Sequence, residues 1–234
     1  MGVTADRGSM FDNRGNGATL LCLSSVRGPA DGRGGRPPAW KKTNRAKEII
    51  MDLNALKRDC ALKQKKGLHI ILSSVIIWTA ILCVHLTSLP IQTKNLLTFC
   101  CTAPLMPISL VVSKLIGVDF QNKGNPLMKL GLLFTLNQLL YLLIVMWAYA
   151  EVPDKMLMTL TMVFGAHLLP YSWLYDSRTY LVISIAVPPV ALILGLMFPP
   201  CVLAGVMVGV EIVFSLLLWL ESRAMEKTSS GSAE

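Results

Sequence analysis

Charge is scarce in this chain. Asp, Glu, Lys and Arg make up only 15% of its 234 residues, against 53% hydrophobic residues. With a mean hydropathy of +0.54, such a chain cannot clothe itself in a water-facing surface, so its apolar residues need lipid as well as a core. Catalytic signatures are missing too. There is no G-x-S-x-G, no H-E-x-x-H and no G-x-x-x-x-G-K-[ST], which with short loops argues against a conventional hydrolytic or ATP-driven enzyme. The six cysteines, at 22, 60, 83, 100, 101 and 201, contain no C-x-x-C and no paired zinc spacing. No metal and no cofactor are therefore expected. A free thiol packs as a small hydrophobe, and the vicinal pair Cys100 and Cys101 with Cys201 is the one grouping that a membrane face would bring together.

The net charge of +8 suggests a nucleic-acid partner until it is divided by region. Residues 1–50 hold nine Lys/Arg and four Asp/Glu, whereas residues 51–234 hold thirteen and ten. The first segment also carries eight of the seventeen glycines and has no amphipathic period, so it is expected to be disordered. Its Gly/Arg composition is too loose to argue for RNA, and nucleic acid is not an expected partner. The apolar stretch from Ala18 to Leu23 is too short for a secretory signal. Met51, opening Met-Asp-Leu-Asn-Ala-Leu-Lys-Arg-Asp, reads as an alternative start.

What the sequence does have is long apolar runs. A hydrocarbon core about 30 Å thick takes roughly 20 helical residues, and six runs fit: Leu68 to Leu86, Leu96 to Val118, Leu127 to Ala150, Met156 to Leu174, Tyr180 to Phe198 and Cys201 to Leu220. Lipid offers the backbone no partner, so each must be helical. The expected fold is an all-α, polytopic membrane bundle of about six transmembrane helices. It comprises a Gly/Arg-rich segment over 1–50, a lead-in over 51–67, the transmembrane domain over 68–220 and a tail over 221–234.

Lys and Arg favour the cytoplasmic flanks of such spans. One set of flanks carries eleven, including Lys57, Arg58, Lys65, Lys66, Arg178 and Arg223, and the other carries only Lys94 and Lys155. Both termini are therefore expected in the cytoplasm, in a multi-pass protein of the cell membrane.

Polar groups inside the bilayer are costly, roughly 2.5–3.5 kcal/mol for an ionised acidic side chain at mid-depth. Glu211 lies near the middle of the sixth run, Asn137 and Gln138 near the middle of the third, and His167 past the middle of the fourth. Helix depth permits one cluster of the four, with Glu211 as a proton or cation site, His167 as a titrating partner and the two amides as neutral ligands. Hydrogen bonding between helices is the structural alternative. Just before Glu211, Gly205-Val-Met-Val-Gly209 forms a small-xxx-small face, expected to admit a neighbouring helix or a second copy of the chain.

Prolines punctuate the second run at 104 and 107, the fourth at 170 and the fifth at 188 and 189. Runs two and five are matching members of a three-plus-three arrangement, so their breaks suggest an inverted repeat with a binding site at unwound segments.

The polar loop Gly117-Val-Asp-Phe-Gln-Asn-Lys, then Lys129-Leu-Gly-Leu-Leu-Phe, Leu136-Asn-Gln-Leu-Leu-Tyr141 and Phe164-Gly-Ala-His-Leu-Leu-Pro170 resemble a family of small bacterial membrane proteins of unknown function, from about Met51 to Glu221. The resemblance implies an architecture and no reaction. Three function classes follow from the residues: a small-solute or ion carrier or channel, possibly coupled to protons; a non-transporting sensor or assembly subunit; and, third, an intramembrane enzyme acting on lipid through His167 and Glu211.

Overall fold

The apolar runs become helices because a lipid-buried backbone can satisfy its own donors and acceptors only along one segment. In a computed structural model, residues 52–120, 122 and 124–230 are described. The disorder expected of residues 1–50 lies outside them, as do Gln121 and Lys123 of the polar loop. A lead-in helix α1 (residues 52–63) passes through the 3-10 turn Lys65–Gly67 into α2 (Leu68–Leu86). There follow α3 (Ile91–Thr102), α4 (Leu105–Leu115), α5 (Leu127–Glu151), the 3-10 turn Pro153–Lys155, α6 (Met156–His167), α7 (Leu169–Leu174), α8 (Arg178–Met197) and α9 (Pro200–Ser230).

Five helical stretches are long and apolar enough to cross a membrane, and a sixth results when α3 and α4, bent by 40°, are taken as one span. The described residues thus form an all-helical, multi-pass bundle. Its last helix is longer than a bilayer needs and continues to Ser230.

Two of the expected breaks are present and one is not. The second span breaks at Ala103 and Pro104, where Pro104 and Pro107 cannot donate to the preceding turn. The fourth breaks at Leu168, ahead of Pro170. The fifth, by contrast, runs unbroken through Pro188 and Pro189, because neighbouring helices can support a proline-bearing turn in a bundle. Here that neighbour is α6: a Cβ on Gly165 would lie 2.7 Å from the Pro188 ring and 2.8 Å from Val187 Cγ1. The breaks therefore fall in spans two and four, which are not matching members of two halves, and the inverted-repeat expectation loses its support.

Packing is organised around two pairs, α2 on α9 and α6 on α8. The α9 side of the first pair is a stripe of Ala204, Met207, Glu211, Phe214 and Leu218, spaced by three and four residues as one helix face requires, with Leu203 beside Ala204; all six are buried. Gly205 and Gly209 fall off this stripe. A Cβ on Gly205 would only touch Leu82 at 3.9 Å, and one on Gly209 would meet nothing within 4 Å. Close backbone approach occurs instead in the second pair, at Gly165 and at Gly195, where a Cβ would stand 2.4 Å from Met158 Cγ.

Outside the spans, α1 is tied to the α4–α5 loop. Asp59 pairs with Lys63 at 2.7 Å and accepts from the amides of Asn125 at 3.0 Å and Asn122 at 3.2 Å. These partners, Lys63 foremost and then Asn125 and Asn122, hold the Asp59 carboxyl below the ordinary carboxylate range. Cys60 and Ala61 of α1 are buried in the same core cluster as Leu68, Leu174 and Phe214.

Two outcomes are expected. Gly165→Ala should destabilise the reconstituted protein by about 1–3 kcal/mol through overpacking, while Gly209→Ala should be neutral or slightly stabilising because Ala is the better helix former; unfolding in mixed micelles checks both. Because the folded Asp59 value is depressed, its contribution to α1 docking is fully present above about pH 3.9, the unfolded value, and is lost as pH falls through the lower folded value. Hydrogen exchange along residues 52–63 between pH 6 and pH 2 should show that loss, and Asp59→Asn should remove the dependence.

Candidate functional site

The stripe that packs α9 on α2 has one member that an apolar contact would not select. Glu211 is fully buried, at 0% exposure. Its Oε2 is bonded to Ser74 Oγ of α2, and its Oε1 has no hydrogen-bond partner among the described residues. Ser74 Oγ also lies 2.7 Å from the Ile71 carbonyl, one turn back. A hydroxyl has a single hydrogen. Both contacts are satisfied together when the carboxyl carries the proton, donating to Ser74, which donates to Ile71. With Glu211 deprotonated, Ser74 must choose between the carboxylate and the carbonyl. Three more buried polar atoms lie on the same two helices without partners among the described residues: Ser215 Oγ, one turn beyond Glu211, Ser222 Oγ, and His69 Nδ1, whose ring meets Phe120 edge-on at 5.3 Å.

Toward the α1 end, the same two helices carry a second polar construction. Glu221 of α9 pairs with Lys66 at 2.8 Å. Its carboxylate also accepts from the Ser177 hydroxyl at 2.7 Å, from the Thr179 hydroxyl at 2.5 Å and from the Thr179 backbone N–H at 3.1 Å. The Lys66 ammonium donates further to the Asp176 carbonyl at 3.3 Å. One carboxylate thus ties α9 to the turn that leads into α2 and to the start of α8.

Holding this arrangement takes unusual backbone. Lys65, Lys66 and Asp176 all have positive φ, at 45°, 52° and 45°, a conformation costly for residues with a Cβ. Gly67 has φ 74°, and a Cβ there would stand 2.9 Å from the Tyr180 hydroxyl. Glycine alone meets both demands.

Tyr180 links the two constructions. Its hydroxyl donates to the Lys66 carbonyl at 3.0 Å, and its ring meets Phe214 edge-on at 4.9 Å, one turn from Glu211. Tyr180 opens into a column of rings: Tyr171 at 6.2 Å, then His167 at 6.1 Å, Phe164 at 5.3 Å and Trp78 at 5.8 Å. Above the Lys66–Glu221 pair lies an open cleft of about 660 Å³, lined among others by Lys57, Arg58, Lys66, Tyr175, Asp176 and Glu221.

The four residues predicted to meet in one cluster do not. Glu211 is bonded to Ser74. His167 sits in the ring column, with Nδ1 against the Phe164 carbonyl of its own helix. Gln138 is half-buried on the side of α5 that faces α6, and Asn137 is exposed on the other side. Among the described residues, no hydrogen bond joins any of the other three to Glu211. Sequence reasoning missed Ser74, Lys66, Tyr180 and Glu221. Serine and tyrosine are ordinary in spans, and Lys66 and Glu221 look like routine flanking charges. Their one signal was position, at the first boundary of the first span and the last boundary of the last.

Residues 53–221 match the family described as "Family of unknown function (DUF7010)". No curated protein and no solved structure matches the chain. The chain belongs to this family of unknown function.

Removing Lys66 strands the Glu221 carboxylate, which is only partly open to water. Lys66→Met should therefore lower stability by about 1.5–3 kcal/mol, in the range of hydrogen bonds to charged groups. Restoring neutrality in Lys66→Met/Glu221→Gln should recover part of the loss. A double-mutant cycle on chemical unfolding in detergent measures the coupling.

Proposed function

We propose that this family member is a small membrane carrier or channel for a small solute or ion, with Glu211 as the group that exchanges a proton or holds a cation. The observation that carries the reading is the fully buried Glu211 carboxyl, bonded to one serine and with its second oxygen unmet. Intramembrane acids with that degree of enclosure are costly and mark ion or proton pathways more often than simple packing. The Ser74 arrangement supports it further, since the hydroxyl's partner changes with the protonation of Glu211.

In this reading Ser74 positions the carboxyl, and Tyr180 and the Lys66–Glu221 pair lie between Glu211 and the cleft at the α1 end. The excess of Lys and Arg on that side argues that the cleft faces the cytoplasm, with both termini there, in the cell membrane. Asn137, Gln138 and His167 are not needed at the site.

A second reading, a non-transporting sensor or assembly subunit, is favoured by α5, of which only 11% of the most apolar window is buried inside the protein. A span so little covered is what a subunit offers to a neighbour.

The test is reconstitution into liposomes with a pH-sensitive dye inside, comparing the native chain with Glu211→Gln while candidate ions and solutes are added outside. The expected result is a proton- or solute-dependent signal that the substitution abolishes. In infrared difference spectra, a carboxyl band should respond to pH in the native protein and be missing from Glu211→Gln. A folded Glu211→Gln protein that behaves like the native chain in both assays overturns the carrier reading and leaves the assembly subunit.

A further inference from the structure

Helix α5 turns one side to α6 and α7 and the other away from the protein. Gly131, Gln138, Leu142, Val145 and Tyr149 are buried or half-buried on the inner side. There Gly131 approaches Leu174, and Phe134 and Thr135 contact Tyr171. At 100° per residue, Leu133, Asn137, Leu140, Ile144 and Trp147 form one stripe on the outward side, with Asn137 at its edge, roughly 120° around the helix from Gly131. All five are exposed. Their spacing is four, three, four, three, which is the a/d seam of a two-stranded coiled coil with an asparagine at one seam position.

Asn137 makes this more than an apolar face. It lies ten residues into a 25-residue helix, about 15 Å along its axis and so near mid-membrane. Its amide has no hydrogen-bond partner among the described residues, and lipid supplies none. An amide is both donor and acceptor, so its simplest complement is another amide at the same height. A twofold axis beside α5 brings the same residue of a second copy to that place, as an isologous interface requires. A buried Asn in such a seam also sets register and favours two strands. Leu, Ile and Trp flank it with the side chains that fill such a seam.

We infer that two copies of this chain pair in the membrane through α5, with the Leu133, Asn137, Leu140, Ile144 and Trp147 faces packed together and the two Asn137 amides bonded across the axis. The pairing does not depend on Glu211 and stands or falls apart from the carrier reading.

The experiment is single-molecule photobleaching of the full fluorescently tagged chain in liposomes over a range of protein-to-lipid ratios. Two-step bleaching should rise with density along a monomer–dimer isotherm. Asn137→Leu, a change on a lipid-facing surface that leaves the fold intact, should raise the dissociation constant about three- to twenty-fold, the reach of one interhelical hydrogen bond in a membrane. Asn137→Gln should keep most of the affinity, and Gly209→Leu, on a different helix, should leave it unchanged. Single-step bleaching at every density overturns the inference, as does a dimer indifferent to Asn137→Leu or one that Gly209→Leu disrupts. Circular dichroism and unfolding of each variant separate loss of pairing from loss of folding.

Discussion

One carboxylate closes this bundle. Glu221, at the end of the last span, gathers Lys66 from the start of the first span and Ser177 and Thr179 from the start of α8. Three helix ends distant in the chain are thereby fixed to one point, close to where water meets the membrane. Ion pairs exposed to water contribute little. This one is largely screened from water on the lysine side and is supported by three further donors, conditions under which a paired charge is expensive to unpair. The positive φ of Lys66 and Asp176 accompanies these contacts, in which the Lys66 ammonium bridges Glu221 and the Asp176 carbonyl.

From that point the antiparallel α2–α9 seam follows. With Lys66 opposite Glu221, Ser74 falls opposite Glu211, so the ion pair sets the register in which the buried acid finds its serine. Tyr180 is held by the Lys66 carbonyl and packs on Phe214, bridging the two polar positions through the aromatic part of the core. The cleft at the α1 end, the ion pair, Tyr180 and Glu211 form a graded sequence from open and charged to fully buried. Pairing of two chains through α5 would take place on the far side of α6 and α7 and would leave this seam untouched.

The proline positions illustrate how local chemistry and packing divide the work. Pro104 and Pro170 accompany breaks, whereas Pro188 and Pro189 lie in an unbroken helix with Gly165 fitted against Val187 and Pro188. A missing N–H is the same loss in every case, and only the neighbour decides whether the helix survives it. The glycines show the same division. Gly205 and Gly209 have the spacing of a packing motif yet meet open space or a distant methyl, while Gly165 and Gly195, thirty residues apart in sequence, make the close contacts between α6 and α8.

The sequence by itself determined the class and the order of the helices. Apolar length and the absence of a backbone partner in lipid are properties of a segment, needing no knowledge of its neighbours. It also singled out Glu211, because the cost of an acid at mid-depth is likewise a local matter. Tertiary structure alone decided the rest: that Glu211 meets Ser74 rather than His167, that Asn137 faces away from the chain that carries it, and that Lys66 and Glu221 are partners 155 residues apart. Depth in the membrane can be counted along one helix. Which way a side chain points, and what stands opposite, depends on the rotation and register of two helices together, and no single stretch of residues contains that.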